Sequence, residues 1–214
     1  MRKAESKARN LVMVLVALVC LACVGVVAAI ASAWLAQRDA KRCLHDVLML
    51  RVGESSFQDV MRMARPYASH RLTYPPACGP EECELTFTFQ NKWPAKLRLA
   101  PLVGLMIKVV VSKGTMQSLG ANLLEYDDSQ LMFEARVSES SKEAMNVPEA
   151  FRFACPDPSG VFVSLTPNAT MEERQRAFDF NLDCLSKLGG CNGASEYVPP
   201  MWKYCSNVAS PRSE

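Results

Sequence analysis

Glu84-Leu85-Thr86-Phe87-Thr88-Phe89-Gln90 alternates polar and apolar residues without a break. A period of two describes a β-strand with Leu85, Phe87 and Phe89 on a buried face and the intervening side chains toward water. The same alternation recurs downstream in Leu105, Ile107, Val109 and Val111. Ser112-Lys113-Gly114-Thr115 has the composition of a hairpin turn, and Met116 to Leu124 can return as the paired strand. Leu131, Phe133, Ala135 and Val137 form another alternating set, and Val161, Val163 and Leu165 one more. Leu97 to Leu99 suggests a short strand. Together these predict an antiparallel β-meander with one wet face and one face toward a core.

Three helical segments flank the meander. Leu35, Cys43, Leu44, Val47 and Leu48 make an apolar stripe ending near Val52-Gly53. Ser55 and Gln58 form a capping box that opens a second helix, with Phe57, Val60, Met61 and Ala64 at helical spacing and Pro66 as its end. Residues 66–82, with four prolines, are expected to be loop. Thr170 and Glu173 form another capping box, opening a helix to about Leu188 with Phe178, Leu182 and Leu185 on one side and Gly189-Gly190 at its end. Residues 138–150 are polar and read as loop or a short helix.

Residues 11–34 differ from everything after them. Leu11 to Trp34 is 24 residues without a charge. As a helix this spans about 36 Å, enough to cross a hydrocarbon core of about 30 Å with some tilt. Trp34 has the amphipathic ring suited to the membrane interface. The leading reading is an uncleaved signal anchor. Ala31-Ser32-Ala33 fits a signal-peptide cleavage site, although the apolar run is long for one. A buried helix of a soluble protein is the third reading. A lipoprotein site at Cys23 does not suit its neighbours. Cys20 and Cys23 are read as lipid-facing rather than as a redox pair. Arg2, Lys3, Lys7 and Arg9 outweigh Arg38, Lys41 and Arg42 by a small margin, placing the N-terminus in the cytoplasm.

The fold class expected is therefore α+β: one N-terminal transmembrane helix, then an antiparallel β-meander packed against two or more helices. The segments are a basic N-terminus over 1–10, the anchor over 11–34, a juxtamembrane helix over 35–53, a disulfide-stapled extracytoplasmic domain over 54–205 and a flexible tail over 206–214.

The formal charge of +2 comes from the N-terminus. Setting aside Arg2, Lys3, Lys7, Arg9 and Glu5 leaves 20 basic and 21 acidic residues, a net of −1. The cations are scattered, which argues against a nucleic-acid partner. The charged side chains are read as solvated surface. Seven cysteines lie beyond the anchor, a density that suits an oxidising compartment. Six are disulfide candidates: Cys78, Cys83, Cys155, Cys184, Cys191 and Cys205. Cys78 with Cys83 is favoured because the intervening loop is short; the other four pair among themselves. Cys43 is left over, either free or linking two chains as a homodimer. Zinc is the rival reading, but Cys184 and Cys191 have the wrong spacing.

No catalytic, cofactor or metal motif is present. His45 and His70 have no companion ligand at metal spacing. Glu81-Glu82 and Asp127-Asp128 are read as solvated or turn-forming carboxylates. Asn168-Ala169-Thr170 matches a glycosylation sequon, relevant only in a eukaryotic secretory pathway. Met61 and Met63 are read as core filler.

Leu50-Arg51-Val52-Gly53-Glu54-Ser55-Ser56-Phe57-Gln58-Asp59-Val60 resembles a helix-opening Val-Gly-x-Ser pattern of bacterial membrane-anchored extracytoplasmic proteins. It is loosely similar to the opening of small outer-membrane assembly lipoproteins of the SmpA/OmlA type. The resemblance implies an envelope setting and carries over no functional residue. The expected function is a membrane-tethered binding or assembly module with lipid and an envelope protein as partners. An envelope enzyme or thiol-redox protein, using Cys43 or Cys184–Cys191, and a small-ligand or lipid carrier are the alternatives.

Overall fold

The computed structural model describes residues 2–127, 130–141, 151–157, 160–191 and Glu196. The chain is α+β, as the alternation implied. α1 (Arg2–Leu48) is one uninterrupted helix. Its stretch from Val12 to Ala28 is exposed along its whole circumference, and its lower-numbered side chains lie outside the described set. From Ala29 onward a stripe turns inward: Ala29, Ala33, Gln37, Ala40, Cys43, Leu44, Val47 and Leu48 are buried. Steps of three and four place these on one helix face. The helix ends at Leu48 rather than Gly53. Residues 49–54 instead turn, and Gly53 takes φ +83°, a left-handed conformation that glycine adopts without strain.

The sheet has seven strands in the order β1-β2-β3-β4-β5-β7-β6: β1 (Arg71–Tyr74), β2 (Glu82–Gln90), β3 (Leu102–Ser112), β4 (Thr115–Asp127), β5 (Gln130–Ser140), β6 (Phe151–Asp157) and β7 (Gly160–Leu165). Leu85, Phe87, Phe89, Leu105, Ile107, Val109 and Val111 are all fully buried on one face. Lys113 and Gly114 both have positive φ, which makes the β3–β4 turn one that matches the twist of paired strands. The sheet is not antiparallel throughout. β5 pairs with β7 in parallel, because β6 takes the outer edge and β7 folds back between them.

α2 (Phe57–Ala64), α3 (Lys92–Lys96) and α4 (Met171–Ala177) are further helices among the described residues. The α2 cap is Ser56, one residue after the expected Ser55. Asp59 N–H donates to Ser56 Oγ at 3.2 Å, and Ser56 N–H donates to the Asp59 carboxylate at 3.1 Å. Ser55 is engaged elsewhere, with its Oγ accepting from Arg51 N–H and its carbonyl from Met116 N–H. Pro66 ends α2, but Arg65–His70 continues as a 3-10 turn, and the expected loop over 66–82 contains β1. Arg71-Leu72-Thr73-Tyr74 does alternate, but four residues in a proline-rich segment are too short to stand out, and Leu72 and Tyr74 are exposed on the sheet edge.

The expected strand at Leu97–Leu99 is instead the exit of α3. The N–H groups of Leu97, Arg98 and Leu99 turn back to Trp93, Ala95 and Pro94. Asn91 occupies the neighbouring strand positions, donating to the Pro101 carbonyl and accepting from Val103 N–H. The helix from Thr170 stops at Ala177 instead of Leu188. Phe178, Phe180 and Leu182 are all buried, a period of two that an α-helix cannot present to one core. A 3-10 turn, Leu182–Leu185, follows.

Candidate functional site: the junction of the anchor helix and the sheet

α1 lies along the buried face of the sheet in a defined direction. Gly53 and Ser55 pair with Met116, and Phe57 with Gly114, so the end of α1 sits at the β3–β4 turn. At the other end, Asp39 is 3.8 Å from the His70 ring, which packs on Phe89 at 4.7 Å. Residues before Asp39 therefore run past the ends of β2 and β3, toward the α3 connection.

Among the described residues, three groups of contacts help to fix α1 in place. Arg174 of α4 donates from Nε to Glu139 of β5 at 2.8 Å, and from its two terminal nitrogens to the carbonyls of Leu48 and Leu50, each at 2.8 Å. Both side chains are buried, at 3% and 2% exposed, so the expectation that charged residues lie on solvated surface fails here. Those two carbonyls have no partner within the helix, since α1 has ended; Arg174 supplies it. Burial pushes the Glu139 carboxyl up, and the Arg174 guanidinium acts in the opposite direction. Second, Tyr67 donates its hydroxyl to Asp46 at 2.6 Å and meets Phe87 and Phe89 edge-on. Third, Asp183 accepts from Gln37 and Lys41, and Ser186 donates to Gln37 at 2.7 Å. The Lys41–Asp183 pair is exposed and adds little.

Cys43 sits inside this junction. It is free and fully buried. Burial pushes its thiol up, and the Asp46 carboxylate adds to the shift. A thiol held neutral and out of reach lacks what nucleophilic redox chemistry requires. Burial also denies it the exposure that an intermolecular bridge would need. The raised thiol has a consequence for stability. An unfolded thiol ionises at about 8.5. The neutral form's contribution is therefore fully present below that pH and is lost above it, by up to about 1.4 kcal/mol per pH unit. Tyr67 is shifted in the same direction, by burial first and then by Asp46, and adds its loss above about 10. The denaturant midpoint of the full chain in micelles should fall from about pH 8.5 upward, and Cys43→Ala should delay that fall toward pH 10. An unchanged profile in the variant would mean that Cys43 ionises freely in the fold.

Cys78 and Cys83 are bonded, with Cα atoms 4.8 Å apart, and so are Cys184 and Cys191, at 5.3 Å. Cys155 lies in β6 with its side chain outside the described set, and Cys205 is outside the described residues. No cluster of three or more metal-binding side chains occurs among the described residues. His45, Glu81, Glu82 and Asn168 are exposed, whereas Met61 and Met63 pack against the core. Asp128 and the tail 206–214 fall outside the described residues. Arg174 and Glu139 are the junction residues that sequence reading missed. Among the buried stripe positions, Cys43, Leu44, Val47 and Leu48 were legible. No family model matches the chain, and neither a curated protein nor a solved structure matches it.

Proposed function

We propose that the chain is a membrane-tethered, extracytoplasmic binding or assembly module whose anchor is retained. The observation that carries this reading is the single helix that begins as an apolar span and ends in the core. Ala29 and Ala33 lie inside the apolar run and are buried, so removal of the segment up to Ala33 would strip two packed residues from the domain. The two disulfides favour the oxidising side of the membrane. A carrier role loses support because α1 occupies the sheet's apolar face. The thiol-redox role loses support because Cys43 is neutral and enclosed.

The test is labelling of intact cells with a membrane-impermeant maleimide, with and without reductant, followed by fractionation and cross-linking. Full-length protein in the membrane fraction should label only after reduction, and cross-linking should recover a defined envelope protein. Labelling that requires permeabilisation but no reductant would invert the topology. A shortened chain released from membranes would remove the anchor, and cross-linking without any partner would count against the assembly role.

A further inference from the structure

The α3 end of the sheet differs from the rest of the domain surface. Asp39 lies at the level of Phe89, so Trp34, five residues earlier, is about 7.5 Å farther along the helix axis. That is the level of the α3 connection, which begins two residues after Gln90. The loop carrying Leu188 reaches the same place. Gly189 N–H donates to the Leu99 carbonyl, and a Cβ on Gly190 would come within 2.6 Å of the Pro101 ring. α3 and the Leu182–Leu185 turn are the elements that lie against α1 here.

Trp93, Leu97 and Leu188 are each about half exposed at this end, which lies at the axial level of the exposed Trp34. Leu131 and Met132 are exposed at the same end, in the β4–β5 hairpin. Exposed Lys92, Lys96 and Arg98 are interspersed with Trp93 and Leu97 along the chain, with Lys96 set 5.1 Å over the Trp93 ring. The hairpin carries Glu125 instead, so the cationic half is the α3 side. Exposed tryptophan and leucine beside lysine and arginine is the composition of an interfacial membrane surface.

The stripe on α1 supplies the occupant. Ala29 is buried by protein although it lies about 7.5 Å farther into the apolar run than Trp34. If the run crosses a bilayer, protein packed on Ala29 and Ala33 must enter the outer layer of that bilayer. We propose that α3 and the turn bearing Leu188 form a docking face for the bilayer leaflet from which α1 emerges. Trp93, Leu97 and Leu188 sit among headgroups, and Lys92, Lys96 and Arg98 favour anionic lipid. This rests on the tethered reading above and adds that the domain lies on the membrane rather than standing off it.

Site-specific photocrosslinking of the full chain in phosphatidylcholine–phosphatidylglycerol vesicles tests the proposal. p-Benzoylphenylalanine replaces one exposed residue at a time: Trp34, Leu97, or Met49 at the opposite end. A mass gain of one phospholipid at Trp34 and Leu97, at least fivefold above Met49, is expected. Adducts at Trp34 with none at Leu97, or equal adducts at Leu97 and Met49, would overturn the docking face and leave the anchor standing. No adduct at Trp34 would overturn the anchor reading and the docking face with it. Lys92→Glu with Lys96→Glu should at least halve the Leu97 yield in these vesicles and leave it unchanged in pure phosphatidylcholine. Equal yields in the anionic vesicles would overturn the lipid preference.

Discussion

Arg174→Met is expected to lower the stability of the full chain by about 3–5 kcal/mol, the cost of breaking a buried ion pair by removing one partner. Three acceptors lose their donor at once: Glu139, the Leu48 carbonyl and the Leu50 carbonyl. The loss should depend on pH. Without Arg174, burial, the largest influence on Glu139, is opposed only by the Arg51 charge and raises its folded-state value above the unfolded one of about 4.3. A neutral carboxyl is then tolerated below that pH, and the penalty grows as pH rises, so the gap to wild type should be wider at pH 7 than at pH 5. Arg174→Met with Glu139→Leu removes the unmatched charge and should recover part of the loss. The two helix-end carbonyls remain without a partner, so the recovery is incomplete. Urea midpoints in detergent micelles measure all three. A single variant within 1 kcal/mol of wild type would show that the pair does not hold α1.

Phe87→Ala should cost about 3–5 kcal/mol by the same measurement. The ring is fully buried and meets Tyr67 edge-on at 6.2 Å, so its removal opens a cavity between β2 and the Arg65–His70 turn. The neighbouring Thr86 and Thr88 face the other side of the sheet and are only half-buried. Thr88→Ala should stay within about 0.5 kcal/mol. Comparable losses at positions 87 and 88 would contradict the sheet's one-sided burial.

Phe87 was legible in the sequence, and Arg174 was not, for a physical reason. A strand with one face in the core writes its burial into a period of two, which Leu85, Phe87 and Phe89 display. A buried arginine writes nothing comparable, since its neighbours Glu173 and Arg176 are ordinary surface residues and its partner lies 35 residues away. The apolar span was legible because lipid admits so few compositions. The parallel β5–β7 pairing was not, because alternation reports which face a strand buries and not which neighbour it pairs with. Thr170 and Glu173 announced the start of α4 correctly through local capping. Its end at Ala177 depended on where Phe178 and Phe180 could be buried, which is decided by the whole core. At the candidate site, the sequence left Cys43 over, either free or bridging two chains, and could not show it enclosed.

The unbroken α1 also gives the molecule a compass bearing. Each helical residue advances the chain by about 1.5 Å and turns it by about 100°. With no hinge between Val12 and Leu48, a span seated in a bilayer as proposed would set the azimuth of the sheet about the bilayer normal by the face it presents to the lipid. A neighbour that grips one side of the span would meet the same strand edge every time. One residue added before Ala29 would swing that edge a quarter-turn or more away, and seven would bring it almost back.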